Sequence, residues 1–274
     1  MPADSVDIYV LGTGIFSTLH FTTETLQALR VCRHAFVLHD DLGVHARIAA
    51  LGPRVHDMAD RYDAGRIRRD IYVEIAAEVV AAASQCDEPV ALVVHGHPLF
   101  LVSATEYLLE LARGRQLTAR VLPAVSSFDT LLADLEIDLG YGVQIFDATT
   151  LLEHAWMPNP EVPTLLFQLT TTLIGEVVTE TESLTIEPLV KHLLLAYPYD
   201  HSCLVLHSAT HVLDVPGVYA TPLGGSRRIR PWSFGGDPRY TFRRLDPFAG
   251  CHCIRRSVIA ARCTRECGSH TSAS

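Results

Sequence analysis

No run of about 18 residues in this chain is free of charged and strongly polar side chains, so the sequence predicts no membrane span. The N-terminus lacks a basic stretch followed by an apolar block, so no signal peptide is expected and a cytoplasmic protein is. Positive charge is scarce: 22 Lys and Arg stand against 31 Asp and Glu, a formal charge of −9. That balance argues against a general nucleic-acid binder. No internal repeat is visible. What is present is a globular composition, 48% apolar and 19% charged over 274 residues. Such a chain is long enough for two modest domains or one large one, with a core that needs no staples.

The charge is unevenly spread. Residues 221–274 carry about +7, which leaves about −16 for the first 220. Of seven cysteines, Cys32, Cys86 and Cys203 stand in apolar contexts and read as small core residues. Cys251, Cys253, Cys263 and Cys267 cluster in the tail with His252 and His270 nearby. Their spacing does not match the common paired C-x2-C zinc pattern, and a basic tail without a metal is the expectation. A change of reading frame near the end would also give this composition.

Apolar runs and helical spacings alternate. VDIYVLGTG, HAFVLHD and EPVALVVHGHP read as buried strands ending in polar punctuation. HFTTETLQALRVC is a helix capped by Thr22 or Thr23, and GVHARIAAL a short one. AGRIRRDIYVEIAAEVVAAAS is a long helix with Ile67, Ile71, Ile75 and Val79 at fourfold spacing. SATEYLLELARG adds a helix, and LTARVLPAVSSFDTLLADLEID a strand, a loop and a helix. This alternation predicts an α/β fold with a largely parallel sheet over residues 1–140. A linker at 141–158, carrying Pro158, precedes a second α/β unit at 159–220 with PTLLFQL, EPLVKHLLLAYP and SCLVLHSAT. Residues 221–274 form an atypical, basic, Cys-rich tail.

Four segments offer chemistry. L-G-T-G-I follows the first strand, but a dinucleotide fingerprint needs a third glycine where Ser17 stands, with Asp40 or Asp41 as the acid. A tight turn is the plainer reading. H-G-H-P (His95, Gly96, His97, Pro98) also lies at a strand end, where open parallel sheets bind ligands. Gly96 permits close backbone approach and Pro98 stiffens the loop. Two histidines without a third partner are a poor metal site, so a loop lining a small molecule is expected there, and no metal. Ser126 and Ser127 open a helix, as an ordinary cap or as hydroxyls for a ligand. Arg68 and Tyr72 share a helix face beside the isoleucine stripe, and Tyr62 precedes it. Without further context these read as a solvated basic face with half-buried tyrosines.

Taken as an ordered set, VLGTG with TTETLQAL, YDAGRIRRDIY, VVHGHPLFLV, ARVLPAVSSFDTLLADLEID and LLFQL resemble the tetrapyrrole-methylase family over roughly residues 6–215. They are most similar to its borosin branch, the peptide α-N-methyltransferases. The resemblance implies two α/β domains with S-adenosylmethionine in the cleft between them. It implies that His95, Gly96, His97, Pro98, Phe100, Ser126, Ser127, Gln168 and the backbone near Leu206 bind that cofactor. It gives catalytic roles to Tyr62, Arg68 and Tyr72; a further tyrosine of some members falls at Ala59.

The chemistry suits that set. An amide nitrogen is a poor nucleophile because its lone pair is delocalised into the carbonyl. Arg68 would favour the ionised form of Tyr72, or stabilise an imidate oxygen. Tyr62 would be a partner base or an orienting group. Fused members carry their substrate peptide at the C-terminus, whereas no apolar Val/Ile/Leu/Gly run follows here, so a separate precursor peptide acting in trans is expected. A homodimer is expected by the same resemblance. Methylation of a tetrapyrrole or other small metabolite is the alternative activity. A non-catalytic binding subunit is the alternative outside enzymes.

Overall fold

The computed structural model describes residues 6–140, 142–169, 172–177, 186–209, 215–228 and 257–260. The first 140 residues build one parallel sheet. Its strands are β1 (Ile8–Gly12), β2 (His34–Leu38), β3 (Arg54–Asp57), β4 (Val90–Val94) and β5 (Ala119–Val121), in the order β3-β2-β4-β1-β5. The helices between them are α1 (Thr23–Val31), α2 (Leu42–Ala49), α3 (Arg68–Ala83) and α4 (Ser103–Gly114).

Strand residues alternate between two cores, as a period of two requires when both faces are covered. Ile8, Val10, Phe36, Leu92 and Val94 meet α3 and α4 on one face. Leu11, Ala35, Val37, Ala91 and Val93 meet α1 and α2 on the other. All five residues of β4 are buried, which is why its sequence is unbroken Val, Ala and Leu.

The connection leaving β1 therefore runs over one face and the connection leaving β4 over the opposite face, although the two strands are neighbours. In an open α/β sheet such a divergence, beyond the carboxyl ends of the two strands, is the usual place for a ligand.

α5 (Ser127–Leu135) joins this unit to a second sheet. That sheet contains β6 (Gln144–Asp147), β7 (Thr164–Phe167), β8 (Ser202–His207), β9 (Gly217–Pro222) and β10 (Ser257–Ala260), ordered β6-β7-β10-β8-β9. Only β9 runs antiparallel to its neighbour. α6 (Ala148–Glu153) and α7 (Glu187–Leu193) cover one face, packed on Leu166, Cys203 and Val205. The other face, through Leu165, Phe167 and Leu206, receives Leu131 of α5 together with Phe100, Leu101 and Phe128. The loop after β4 and the helix after β5 thus form the seam between the sheets.

Three sequence expectations change. Residues 141–158 are not a bare linker: they hold β6 and α6, with Asp147 capping the helix by accepting from the Thr150 N–H at 2.8 Å. The stretch QIFD is too short and too mixed to show a strand period, and the nearby prolines follow α6 instead of replacing it. Residues 221–274 are not wholly a tail. Thr221 and Pro222 complete β9, and 257–260 enter the second sheet between β7 and β8. The cysteines of the tail lie outside the described residues. The long helix begins one residue later than its isoleucine spacing suggests. Ile67 is extended (φ −70, ψ 121), pairs with Glu176 and stays 51% exposed, so the buried stripe starts at Ile71.

Cys32 and Cys203 behave as read, since burial pushes each thiol up to about 12 and leaves it unreactive. Among the described residues no helix is long and apolar enough to cross a membrane. Ile75 is fully buried between α3 and the first sheet. Ile75→Ala is expected to cost about 2–5 kcal/mol in denaturant unfolding; a loss under about 1 kcal/mol would contradict this packing.

Candidate active site

Three strand ends meet beyond the first sheet. Gly14 and Gly96 form a short antiparallel bridge, with Gly96 N–H donating to the Gly14 carbonyl at 3.0 Å. Thr13 N–H donates to Val94 O at 2.9 Å. A Cβ on Gly12 would stand 2.1 Å from the Gly96 carbonyl oxygen and 2.6 Å from the Ala124 Cβ. The G-T-G loop is therefore packed backbone to backbone against the H-G-H-P loop and the loop after β5, which leaves no cradle for a pyrophosphate. Of the two readings open for G-T-G, the tight turn holds.

The loop is fixed from outside as well. The His20 ring accepts the N–H groups of Ile15 and Phe16, at 3.2 and 3.3 Å, and stacks on Phe16. Burial lowers the His20 pKa, which keeps it the neutral acceptor these contacts need. Ser17 Oγ donates to Asp41 Oδ2 at 2.5 Å, while Asp41 Oδ1 caps α2 by accepting Gly43 N–H at 2.7 Å. Of the two acids offered for that fingerprint, Asp40 and Asp41, the second is thus spent on a loop tie and a helix cap. Burial pushes the Asp41 carboxyl up, but the Ser17 hydroxyl, the Gly43 N–H, the charge His39 takes up in acid and the Val44 N–H outweigh it and hold the pKa below its ordinary value.

The expected cofactor residues fall into two groups. His95, Gly96, His97 and Pro98 form the loop after β4. His95 Nδ1 lies 2.9 Å from His39 Nε2, and the ring is half-buried. His97 turns back on its own loop, its Nδ1 accepting the Leu99 N–H at 3.1 Å. Phe100 and Leu206 belong to the cluster at the seam between the sheets, Gln168 reaches across it to Leu101, and Ser126 and Ser127 open α5. Phe100 sits edge-on to Phe167 at 5.1 Å and 6.3 Å from Phe128. Leu206 is buried in β8 in the same cluster.

Ser126 is the N-cap of α5 in a full capping box. Its hydroxyl donates to Asp129 Oδ2 at 2.6 Å and accepts Asp129 N–H at 3.3 Å. The cap reading thus describes its side chain, and Ser127 occupies the first turn. Gln168, just after β7, and Leu101 both hold positive φ, +62 and +60. The Gln168 amide donates to the Leu101 carbonyl across the seam at 3.4 Å. Such backbone costs on the order of 1–3 kcal/mol per residue and concentrates at functional sites.

The third cluster lies at the start of α3. The Tyr62 and Tyr72 rings are 6.3 Å apart, tilted by 58°. Residues 65–68 pair with 175–177 of the second unit through Gly65 N–H to Val177 O (2.9 Å), Val177 N–H to Arg66 O (2.8 Å) and Arg68 N–H to Gly175 O (2.9 Å). Arg68 Nε donates to Glu176 O at 3.2 Å. The chain segment carrying the Tyr/Arg set is thus tied to the second unit. Tyr62 and Val102, the residue after Leu101, pack against one core cluster. Sequence points to neither His39 nor the 175–177 segment, and it marks Ser17 only as the residue standing where a third glycine would be. A histidine closing a buried strand, as in HAFVLHD, was the one available signal.

Compared with known families, the chain matches the tetrapyrrole (corrin/porphyrin) methylases over residues 7–211. The chain belongs to this family. It is similar to a methyltransferase/ribosomally synthesized type II borosin cyclic peptide precursor from Phlebiopsis gigantea, 34% identical over 146 residues. That match covers 52% of this chain and 26% of the relative. It is also similar to a type I borosin cyclic peptide precursor methyltransferase from Serendipita vermifera subsp. bescii, 31% identical over 163 residues, 58% of this chain and 40% of the relative. The chain thus spans well under half the length of these relatives.

Among solved structures, uroporphyrin-III-C-methyltransferase from Thermus thermophilus superposes with a TM-score of 0.51 at 19% identity, covering 79% of this chain and 83% of the other. Diphthine synthase gives 0.53 at 15%, covering 81% and 84%. These neighbours share the tetrapyrrole-methylase fold. Among the described residues no group of three or more His, Cys, Asp and Glu side chains could hold a metal.

Two substitutions probe the loop packing of this tetrapyrrole methylase. Gly12→Ala is expected to destabilise the fold by about 1–3 kcal/mol, because the opposing atom is backbone and cannot rotate away; an unchanged melting temperature would refute the packing. Ser17→Ala is expected to destabilise at neutral pH. Asp41 titrates below its unfolded value, so the tie contributes above that value and fades as pH falls through the folded pKa. The gap between wild type and variant should therefore narrow in acid, and a gap that widens in acid would contradict the assignment.

Proposed function

We propose that this chain is a methyltransferase that uses S-adenosylmethionine to methylate backbone amide nitrogens of a peptide supplied by a separate chain. The observation that carries the reading is the Tyr62/Tyr72 pair with Arg68 at the head of α3, on a segment pinned to the second unit beside the strand-end loops. The family match and the names of the borosin relatives support it.

The residues present fit such a cofactor. Aromatic and aliphatic walls at Phe100 and Leu206 suit a planar base, and half-buried His95 and the amide of Gln168 suit its polar atoms. The two left-handed residues facing each other across the seam, Leu101 and Gln168, support this placement. His95, Gly96, His97, Pro98, Phe100, Ser126, Ser127, Gln168 and Leu206 would hold it, with Ser126 acting through the helix start it caps. Bound S-adenosylmethionine would supply an electrophilic methyl group, its S–CH3 bond breaking to leave S-adenosylhomocysteine.

The remaining work falls to this chain's side chains. The acceptor amide must lose its N–H proton as its nitrogen forms the new bond to carbon, because its lone pair is otherwise held in the carbonyl. Tyr72 is the group assigned to receive that proton. Tyr62 orients the amide, and the Arg68 guanidinium meets the charge that gathers on the amide oxygen. Arg68 is fixed before substrate arrives by its bonds to Gly175 and Glu176, so little reorganisation is left to the reaction. A homodimer is part of the same reading, and light scattering at twice the chain mass would agree with it.

Incubation with S-adenosylmethionine and a candidate peptide encoded beside the gene should add CH2 mass units to backbone nitrogens of that peptide, read by tandem mass spectrometry. Tyr72→Phe and Arg68→Ala should each slow this by about a hundredfold or more. Full activity in both variants would overturn the roles assigned. Methyl groups appearing on the protein's own chain would overturn the separate acceptor. A methylated small molecule with unmodified peptide would overturn the acceptor class.

A further inference from the structure

We infer that His39 is a positioning residue that locks His95 into one neutral tautomer, so that His95 presents its Nε2–H to the ligand. The inference rests on the cofactor site proposed above and adds a residue to it.

The argument follows the protons. His39 closes β2, is 8% exposed, and has its ring against His95 at the end of the neighbouring strand β4, with centroids 4.8 Å apart and edge to face. Its Nδ1 receives the backbone N–H of Asp41 at 3.0 Å. A nitrogen that accepts that bond carries no proton. The Asp40 carboxylate, 3.5 Å from the same nitrogen, would favour an imidazolium, but a proton on Nδ1 would point into the Asp41 N–H. His39 is therefore neutral with its proton on Nε2. That nitrogen lies 2.9 Å from His95 Nδ1, so His39 donates and His95 accepts. His95, accepting at Nδ1, keeps its own proton on Nε2, on the opposite side of its ring.

The surroundings hold this arrangement in place. His45 on α2 donates Nε2–H to the His39 carbonyl at 2.5 Å, and the other nitrogen of His45 is 3.9 Å from the Asp57 carboxylate of β3. Asp41, whose N–H starts the relay, is itself anchored by Ser17 and Gly43. Proton direction thus passes from a helix cap through His39 to His95, as the outer partner of an imidazole commonly sets its tautomer. The consequence is chemical: His95 offers a neutral donor, neither an acceptor nor a positive charge, to a ligand whose sulfonium already carries one.

The test begins with the wild-type protein without ligand. Two-bond 1H–15N spectra of uniformly 15N-labelled protein at neutral pH should show both His39 and His95 with bare Nδ1 and protonated Nε2. A protonated Nδ1 on either ring would overturn the inference. His39→Leu removes the donor and should turn the His95 ring into a tautomer mixture, with affinity for S-adenosylhomocysteine reduced about fivefold to tenfold by calorimetry.

His39→Gln, whose amide NH2 can reach the Nε2 position, should restore both the tautomer and the affinity. A His95 spectrum unchanged in His39→Leu would overturn the relay, and failure of His39→Gln to restore would do the same. If His39→Leu does not fold, the wild-type spectrum and the glutamine variant decide the matter. Wild-type protein that shows the tautomers but does not bind S-adenosylhomocysteine would overturn the cofactor reading and leave the proton order intact.

Discussion

The close approach of Gly12 to the Gly96 carbonyl is the constraint on which the site depends. It brings the ends of β1 and β4 together with the loop after β5 and leaves no volume for a side chain at position 12. Neighbouring parallel strands whose connections leave on opposite faces would otherwise open a deep cleft between them. Here backbone fills the bottom of that cleft. In the function proposed above, the ligand sits further out, at the rims formed by His95, Phe100 and the seam with the second sheet. The same loop that would hold a phosphate in a dinucleotide fold acts here as a floor.

The second unit completes the rim. Leu165, Phe167 and Leu206 face α5 and the loop after β4, while Leu166, Cys203 and Val205 face their own helices. One alternation along two strands therefore builds a core on one side and half of the seam on the other. The left-handed residues Leu101 and Gln168 sit on that seam. Each is a non-glycine residue in backbone that glycine would adopt more easily, so the side chains were kept there at a cost.

Much of the first sheet was legible because its strands are buried on both faces and read as unbroken apolar runs. β3 was not, since RVHD carries two charged residues and a histidine at the sheet edge. β6 and β10 are short, and short strands show no period to read. At the site, spacing put Arg68 and Tyr72 on one face, and the structure adds Tyr62 beside Tyr72. Spacing alone could not show that Ser126 is committed to a capping box or that His97 bonds its own loop. It also missed His39, because a hydrogen bond between histidines 56 residues apart depends on strand order, which places β4 beside β2. The family resemblance supplied roles for residues; hydrogen-bond partners came only from the fold.

The strand Ser257–Ala260 lies between β7 and β8, parallel to both. These two strands are complete in the chain some fifty residues before their shared neighbour is made. During synthesis the strands of the first sheet are all present once β5 appears, although its core still awaits Val177, whereas the second sheet lacks its middle strand until residue 260 has emerged. Exposed edges in that interval invite pairing with other chains.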